Sequence, residues 1–365
     1  MILLLTCVGV AFPVQAGELA PVLSTAPPTI SGSPVYKGVL TASPGTWDPV
    51  DSTYSYHWLR GGTPIAGATA ATYRPVLADI GTRLSVAVTA SHLDREPATA
   101  TSTQTAVVRR AALTLLKRPV ISGQRRYLHT LTASTGDWAQ RIDRFTFRWL
   151  RDGTPIAGAT GPRHKLVLKD FGRHISVRVV AHKTGYLARA ATSYRTRRID
   201  HRVPLRHTVY YHVETRGRIT ADLATFRRQA NATLNDPRGW RTTGIAFREV
   251  PSGGSMTLVL AEASRVPSFS SVCSSEWSCR VGRFVIINQM RWLGASSAWW
   301  SNHGTLRDYR HLVVNHETGH WLGHGHRSCP GAGAAAPVMQ QQSKYLGACR
   351  INSWPTKREW FTPRF

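Results

Sequence analysis

Residues 58–69 and 149–160 carry nearly one sequence at an offset of 91 residues. Trp58-Leu59-Arg60-Gly61-Gly62-Thr63-Pro64-Ile65-Ala66-Gly67-Ala68-Thr69 recurs with a single change, Gly61 to Asp152. Leu40-Thr41-Ala42-Ser43 and Leu131-Thr132-Ala133-Ser134, Trp47 and Trp138, and Asp79 and Asp170 hold the same offset without a gap. A period this long is that of a whole domain, larger than a solenoid unit. Tyr54, Tyr56 and Trp58 alternate with Ser55 and His57, the two-residue period of a half-buried strand, and turn residues recur about every ten positions. Two all-β sandwiches are therefore expected, at 22–110 and 113–199. Neither contains cysteine, so Trp58 and Trp149 must anchor their cores without a disulfide.

The chemistry-bearing residues lie further on, at 316–326: His316-Glu317-Thr318-Gly319-His320-Trp321-Leu322-Gly323-His324-Gly325-His326. On a helix, His316 and His320 leave one face and can grip a single cation. Glu317, beside the first of them, is placed to act as a general base on water. An unbroken helix would carry His324 about 12 Å from His316 at about 1.5 Å per residue, too far for a zinc with bonds of about 2.0 Å. Gly323 can end the helix at positive φ and let the chain turn back. His326 then has the reach for the third ligand, and His324 is left beside the site or facing solvent. Thr305 with Asp308 is a capping pattern, and Leu306, Tyr309, Val313, His316 and His320 share one face. The spacing predicts a helix from Leu306 to Leu322.

Upstream, Val209–Val213 reads as a strand and Thr220 as the cap of a helix running to Leu234. Gly244–Val250, Met256–Ala263 and Arg280–Met290 read as three further strands. This order, a strand, a helix, several strands and then the histidine helix, reads as an α+β domain, expected at 205–365 after two sandwiches whose pattern resembles the immunoglobulin-like modules of bacterial surface proteins.

The run HExxHxxGxxH resembles the signature of the metzincin clan of zinc peptidases. Together with Cys329-Pro330, Pro337-Val338-Met339-Gln340-Gln341, Cys349 and Trp354-Pro355, it is similar to a family of secreted metzincin-like proteins from high-GC Gram-positive bacteria. The resemblance implies one catalytic zinc, a peptide or protein substrate, and a methionine turn beneath the metal supplied by Met339. Some metzincins place a tyrosine two residues after that methionine; Gln341 stands there, so a fifth ligand of that type is not expected, and whether Tyr345 substitutes is left open. In such folds an edge strand borders the cleft and pairs with extended substrate.

Cys273, Cys279, Cys329 and Cys349 permit three pairings, and the local ones, Cys273–Cys279 and Cys329–Cys349, are preferred. Disulfides require an oxidising compartment. The apolar run Ile2–Phe12, too short to span a bilayer, and Val14-Gln15-Ala16 read as a signal peptide at 1–16 containing Cys7. Secretion or attachment to the cell envelope is expected. A net charge of +26, carried mainly by arginine, suits an anionic cell-wall polymer or an acidic membrane surface. No nucleic-acid-binding motif accompanies it, so no nucleic acid is expected, and a monomer is. The expected function is a secreted zinc endopeptidase with Glu317 as base. The rival readings are an envelope-binding adhesion protein whose zinc site is structural or vestigial, and a zinc hydrolase of peptidoglycan cross-links.

Overall fold

The structure, a computed structural model, describes residues 19–365; the expected signal peptide at 1–16 lies outside the described residues. Residues up to Pro119, with Thr135–Thr146 and Val179–Ala191, form one compact unit. Val120–Ser134, Phe147–Arg178 and Thr192–Phe365 form a second, so the second repeat contributes to both.

Each repeat is a β-sandwich. In the first, Thr63–Pro64, Thr53–Arg60, Leu84–His92 and Arg95–Thr101 form one antiparallel sheet in that order. It is faced by Thr29–Ser31, Leu40–Ser43 and Thr72–Tyr73. The second repeat reproduces the four-stranded sheet with Thr154–Pro155, Arg144–Arg151, Ile175–His182 and Arg189–Thr192. Trp58 and Trp149 are fully buried, and each indole N–H donates to an equivalent carbonyl, of Ala70 and Gly161, at 2.9 Å. An apolar body with one satisfied donor lets a Trp replace a disulfide as core anchor.

The shared aspartates are buried hubs. Asp79 accepts from Arg60 Nε (2.6 Å), Tyr73 Oη (2.8 Å) and the Val76 amide (2.6 Å). Asp170 accepts from Arg151, His164 and the Val167 amide. Burial and the bond to Asp79 push the Tyr73 phenol up to about 12. For Asp170, burial favours the neutral acid, but the bonds from His164, Val167 and Arg151 outweigh it and hold the pKa low. Removing such a carboxylate strands several donors at once, at about 2–4 kcal/mol. Asp79→Ala is therefore expected to lower hydrogen-exchange protection of the Thr53–Arg60 amides by about 30- to 1000-fold, read on the full chain. Unchanged protection would remove the hub from the stability account.

The remaining region is built on a five-stranded mixed sheet: β1 (His207–Arg216), β2 (Ile245–Glu249), β3 (Met256–Ala261), β4 (Cys279–Val281) and β5 (Phe284–Asn288). The order is β2-β1-β3-β5-β4; all neighbours run parallel except the edge strand β4, antiparallel to β5. β3 is buried at every position, as befits a strand covered on both faces. Helices α1 (Leu223–Leu234), α2 (Gln289–Gly294), α3 (Ser297–Ser301) and α4 (Leu306–Trp321) complete the region. Phe226, Trp240, Leu258, Ile287, Val314 and Met339 belong to one core cluster.

Two local expectations are corrected. Asp222, not Thr220, caps α1, accepting from the Thr225 amide, while the Thr220 amide donates to Gln289 Oε1. The predicted strand Arg280–Met290 is a hairpin, β4 turning into β5 through Gly282 at φ +52°, where a glycine meets no steric penalty, and its last two residues open α2. Both preferred disulfides are present, Cys273–Cys279 and Cys329–Cys349. They fit an oxidising compartment. No helix among the described residues is long and apolar enough to cross a membrane.

Candidate metal centre

Helix α4 starts where the sequence places it, with Thr305 Oγ1 accepting from the Asp308 amide. It ends at Trp321, one residue before the expected Leu322. Gly323, at φ +97°, donates its N–H to the His320 carbonyl, and the His324 N–H reaches back to Gly319 O at 2.9 Å. These two bonds are a Schellman close, satisfying carbonyls that a helix end otherwise leaves bare. The reversal brings His326 back to His316 and His320. Their imidazoles form the one group of three or more potential metal ligands among the described residues, all ligand atoms within 4.8 Å of one another.

The tautomers follow from the anchors. His316 Nδ1 donates to Val338 O and His320 Nδ1 donates to His324 O, each at 2.8 Å. With those protons committed, both Nε2 atoms present lone pairs. Yet His320 Nε2 lies 3.1 Å from His316 Nε2 and 3.1 Å from His326 Nε2. The bare lone pairs of His316 and His320 at that separation repel unless a cation accepts them. Edges near 3.3 Å are what a tetrahedral ion with bonds of about 2.0–2.1 Å requires. The donor set, three imidazoles and no thiolate, suits zinc. Burial pushes His316 down to about 3 and His320 to about 4, and burial also lowers His326, so all three stay neutral near pH 7.

Glu317 is buried, and desolvation pushes its carboxyl up to about 8 against the opposing charge of Arg280. It lies with the three histidines along a cleft of about 690 Å³. Arg280, on the edge strand β4, reaches over to the end of α4 and donates to His320 O at 2.8 Å.

Met339 sits fully buried in a turn, Pro337–Gln340, closed by the Gln340 amide on Pro337 O. This turn serves both ends of the ligand set: Val338 O fixes His316, and Met339 O accepts from the amide of Arg327, next to His326. Three of its supporting residues escaped the sequence reading. A Cβ on Gly319 would overlap Met339 Sδ and Trp240 Cζ2, so the helix can lie on the turn only with glycine there. Glu359, fully buried, accepts from the amides of Val338 (3.2 Å), Met339 (2.9 Å) and Thr356 (2.7 Å). Trp240 donates to Asn315 O and stacks on His324 at 4.7 Å. The Thr-x-x-Glu pattern at 356–359 was the available signal for Glu359.

His324 is buried, its Nε2 bonded to Phe361 O at 2.9 Å. It therefore supports the site through its carbonyl rather than facing solvent. Tyr345 is 76% exposed and does not line the cleft, so it is no substitute ligand here. Gln341 lines the cleft instead.

Residues 190–357 match a family described as "Protein of unknown function (DUF3152)". No curated protein matches the chain. Among solved structures, the tandem Ig repeats of Dlar share 16% identity over 48% of this chain and 98% of that one, with a TM-score of 0.15. A two fibronectin type-III domain segment of chicken tenascin shares 18% over 46% and 98%, at 0.23. Three N-terminal domains of the bacteriophage RB49 outer capsid protein Hoc share 13% over 51% and 65%, also at 0.23. At such scores the sandwich description rests on the strand pairing within this chain.

Proposed function

We propose that this chain is an exported zinc-dependent endopeptidase of the metzincin type, with two immunoglobulin-like modules ahead of its catalytic domain. The observation that carries the reading is the convergence of His316, His320 and His326 beside a buried Glu317 in an open cleft. A purely structural site has no use for a buried carboxyl next to its ligands.

Bound zinc supplies Lewis acidity, polarising a carbonyl and acidifying water. His316, His320 and His326 would hold the ion, and as neutral imidazoles they would leave its +2 charge uncompensated. Glu317, whose pKa burial raises, would be favoured as the carboxylate near such a charge. Ionised Glu317 accepts the proton of the attacking water and passes it to the departing amine. The Cys273–Cys279 disulfide closes the loop that leads into β4. The outer edge of β4 is unpaired within the sheet, the arrangement by which an extended peptide adds as a further strand. Arg280, bonded to His320 O, ties that edge to α4.

The test is turnover of a mixed peptide library by the disulfide-intact protein with one equivalent of zinc. Cleavage should vanish with a chelator and return with zinc. Stoichiometric zinc binding without any cleavage would sink the peptidase reading and favour the metal as a structural element.

A further inference from the structure

The two walls of the cleft differ in what they leave available. On one side stands the loop closed by Cys273–Cys279, with Trp277 on it; on the other, the segment that follows the Met339 turn and ends at Lys344. Between them, Tyr309, Leu312 and Val313 of α4 line the cleft just upstream of His316, and Tyr309 Oη bonds Ser343 Oγ at 2.9 Å. Apart from Glu317, the charges of this cleft are already committed, with one exception. Glu276 pairs with Arg291 at 3.4 Å, Arg291 also lies 4.3 Å from the Trp277 ring, and Arg280 is bonded to His320 O. Lys344 is exposed and makes no ion pair among the described residues. Its ammonium rests 5.7 Å from the centre of the Trp277 ring, which lines the same cleft. That is a weak contact at an exposed site, readily exchanged for a carboxylate.

Resting on the peptidase reading, we propose that the cleft selects peptides carrying Asp or Glu next to the scissile bond. The acidic side chain enters over Tyr309, Leu312 and Val313 and pairs with Lys344, which leaves Trp277 to meet it. The four-carbon stem of Lys344 gives the ammonium the reach to follow the carboxylate while its base stays anchored by the Lys344 amide on Gln341 O. Lys344 also lines the same cleft as His316 and His326. The selected residue is thereby adjacent to the cut rather than remote from it. The surplus of 46 Lys and Arg over 20 Asp and Glu adds a long-range pull on acidic segments.

Cleavage sites in a proteome-derived peptide library, read by mass spectrometry, test this directly. Asp and Glu should be enriched at one position flanking the cut, with paired Glu and Gln peptides differing about tenfold in kcat/KM. Lys344→Ala should erase that ratio, and Lys344→Glu should invert it towards Lys and Arg. A second arm does not need turnover: binding of Glu- and Gln-bearing peptide hydroxamates to zinc-loaded Glu317→Ala protein, followed by Trp fluorescence. A Lys344-dependent preference for the Glu compound in this arm upholds the inference even if no peptide is cut. Cleavage or binding with equal Glu and Gln values, or a Lys344→Glu variant retaining the acidic preference, overturns it.

Discussion

Replacing Glu317 by Ala should lower kcat/KM on any cleaved peptide by about 10³-fold while zinc stoichiometry stays at one per chain. The size follows from general-base catalysis, which contributes about 10²–10⁴-fold where the base is positioned. Retention of metal follows from geometry: His316 is anchored by Val338 O and His320 by His324 O, and neither bond involves Glu317. Glu317→Gln keeps the volume and the hydrogen-bonding capacity but cannot take a proton, so it should fall as far as Ala. Kinetics with metal analysis on the same samples checks both statements. A variant that lost zinc would show Glu317 to be structural; one that kept full turnover would remove it from the mechanism.

The second large effect belongs to a residue remote in sequence from the histidines. Glu359→Ala leaves the amides of Val338, Met339 and Thr356 without their acceptor in a buried setting. At about 1–3 kcal/mol for each stranded donor, with some relaxation, the cost should be about 3–5 kcal/mol. The metal site should suffer too, because the loosened turn carries the Val338 carbonyl that orients His316. Disturbing an outer partner of a ligand typically weakens metal binding about 10- to 100-fold. Competition with a coloured chelator measures the affinity, and denaturant unfolding of the metal-free protein measures the stability. An unchanged zinc affinity in a destabilised variant would detach the turn from the site.

The comparison of these two residues shows what a sequence exposes. The place of Glu317 beside the three histidines was legible because it depends on a neighbour one position away on the same helix. So were His326 and Gly323, since the rise of a helix rules out His324 and demands a break. Repeat-encoded features were legible as well: Trp58 and Trp149 advertise a core because they recur in phase. Asp79 and Asp170 recur too, but nothing local reveals that each gathers an arginine, a backbone amide and a Tyr or His. Gly319 reads as an ordinary helical residue until Met339 and Trp240 are seen pressing on it. Glu359 acts across 20 residues on Met339, and Thr220 lost the cap to Asp222 two residues on. For Gly319 and Glu359 the deciding contact is tertiary, whereas the gathering of His316, His320 and His326 followed from helix geometry and the burial of Trp58 and Trp149 from a repeated pattern. The cap at Asp222 and the hairpin at Gly282 are local signals, overlooked beside Thr220 and within an apolar run.

The way α4 ends has a kinetic corollary. The Schellman bond from the His324 amide to Gly319 O and the bond from His320 Nδ1 to His324 O share one residue. Fraying of the last helical turn would therefore loosen the hold on the imidazole of His320, one of the three proposed ligands. Opening of that turn would give a bound ion a route of escape besides simple bond breaking, and so tie its residence time to the local breathing of a helix terminus. The glycine that stops the helix would also be the part that times the exchange of the metal.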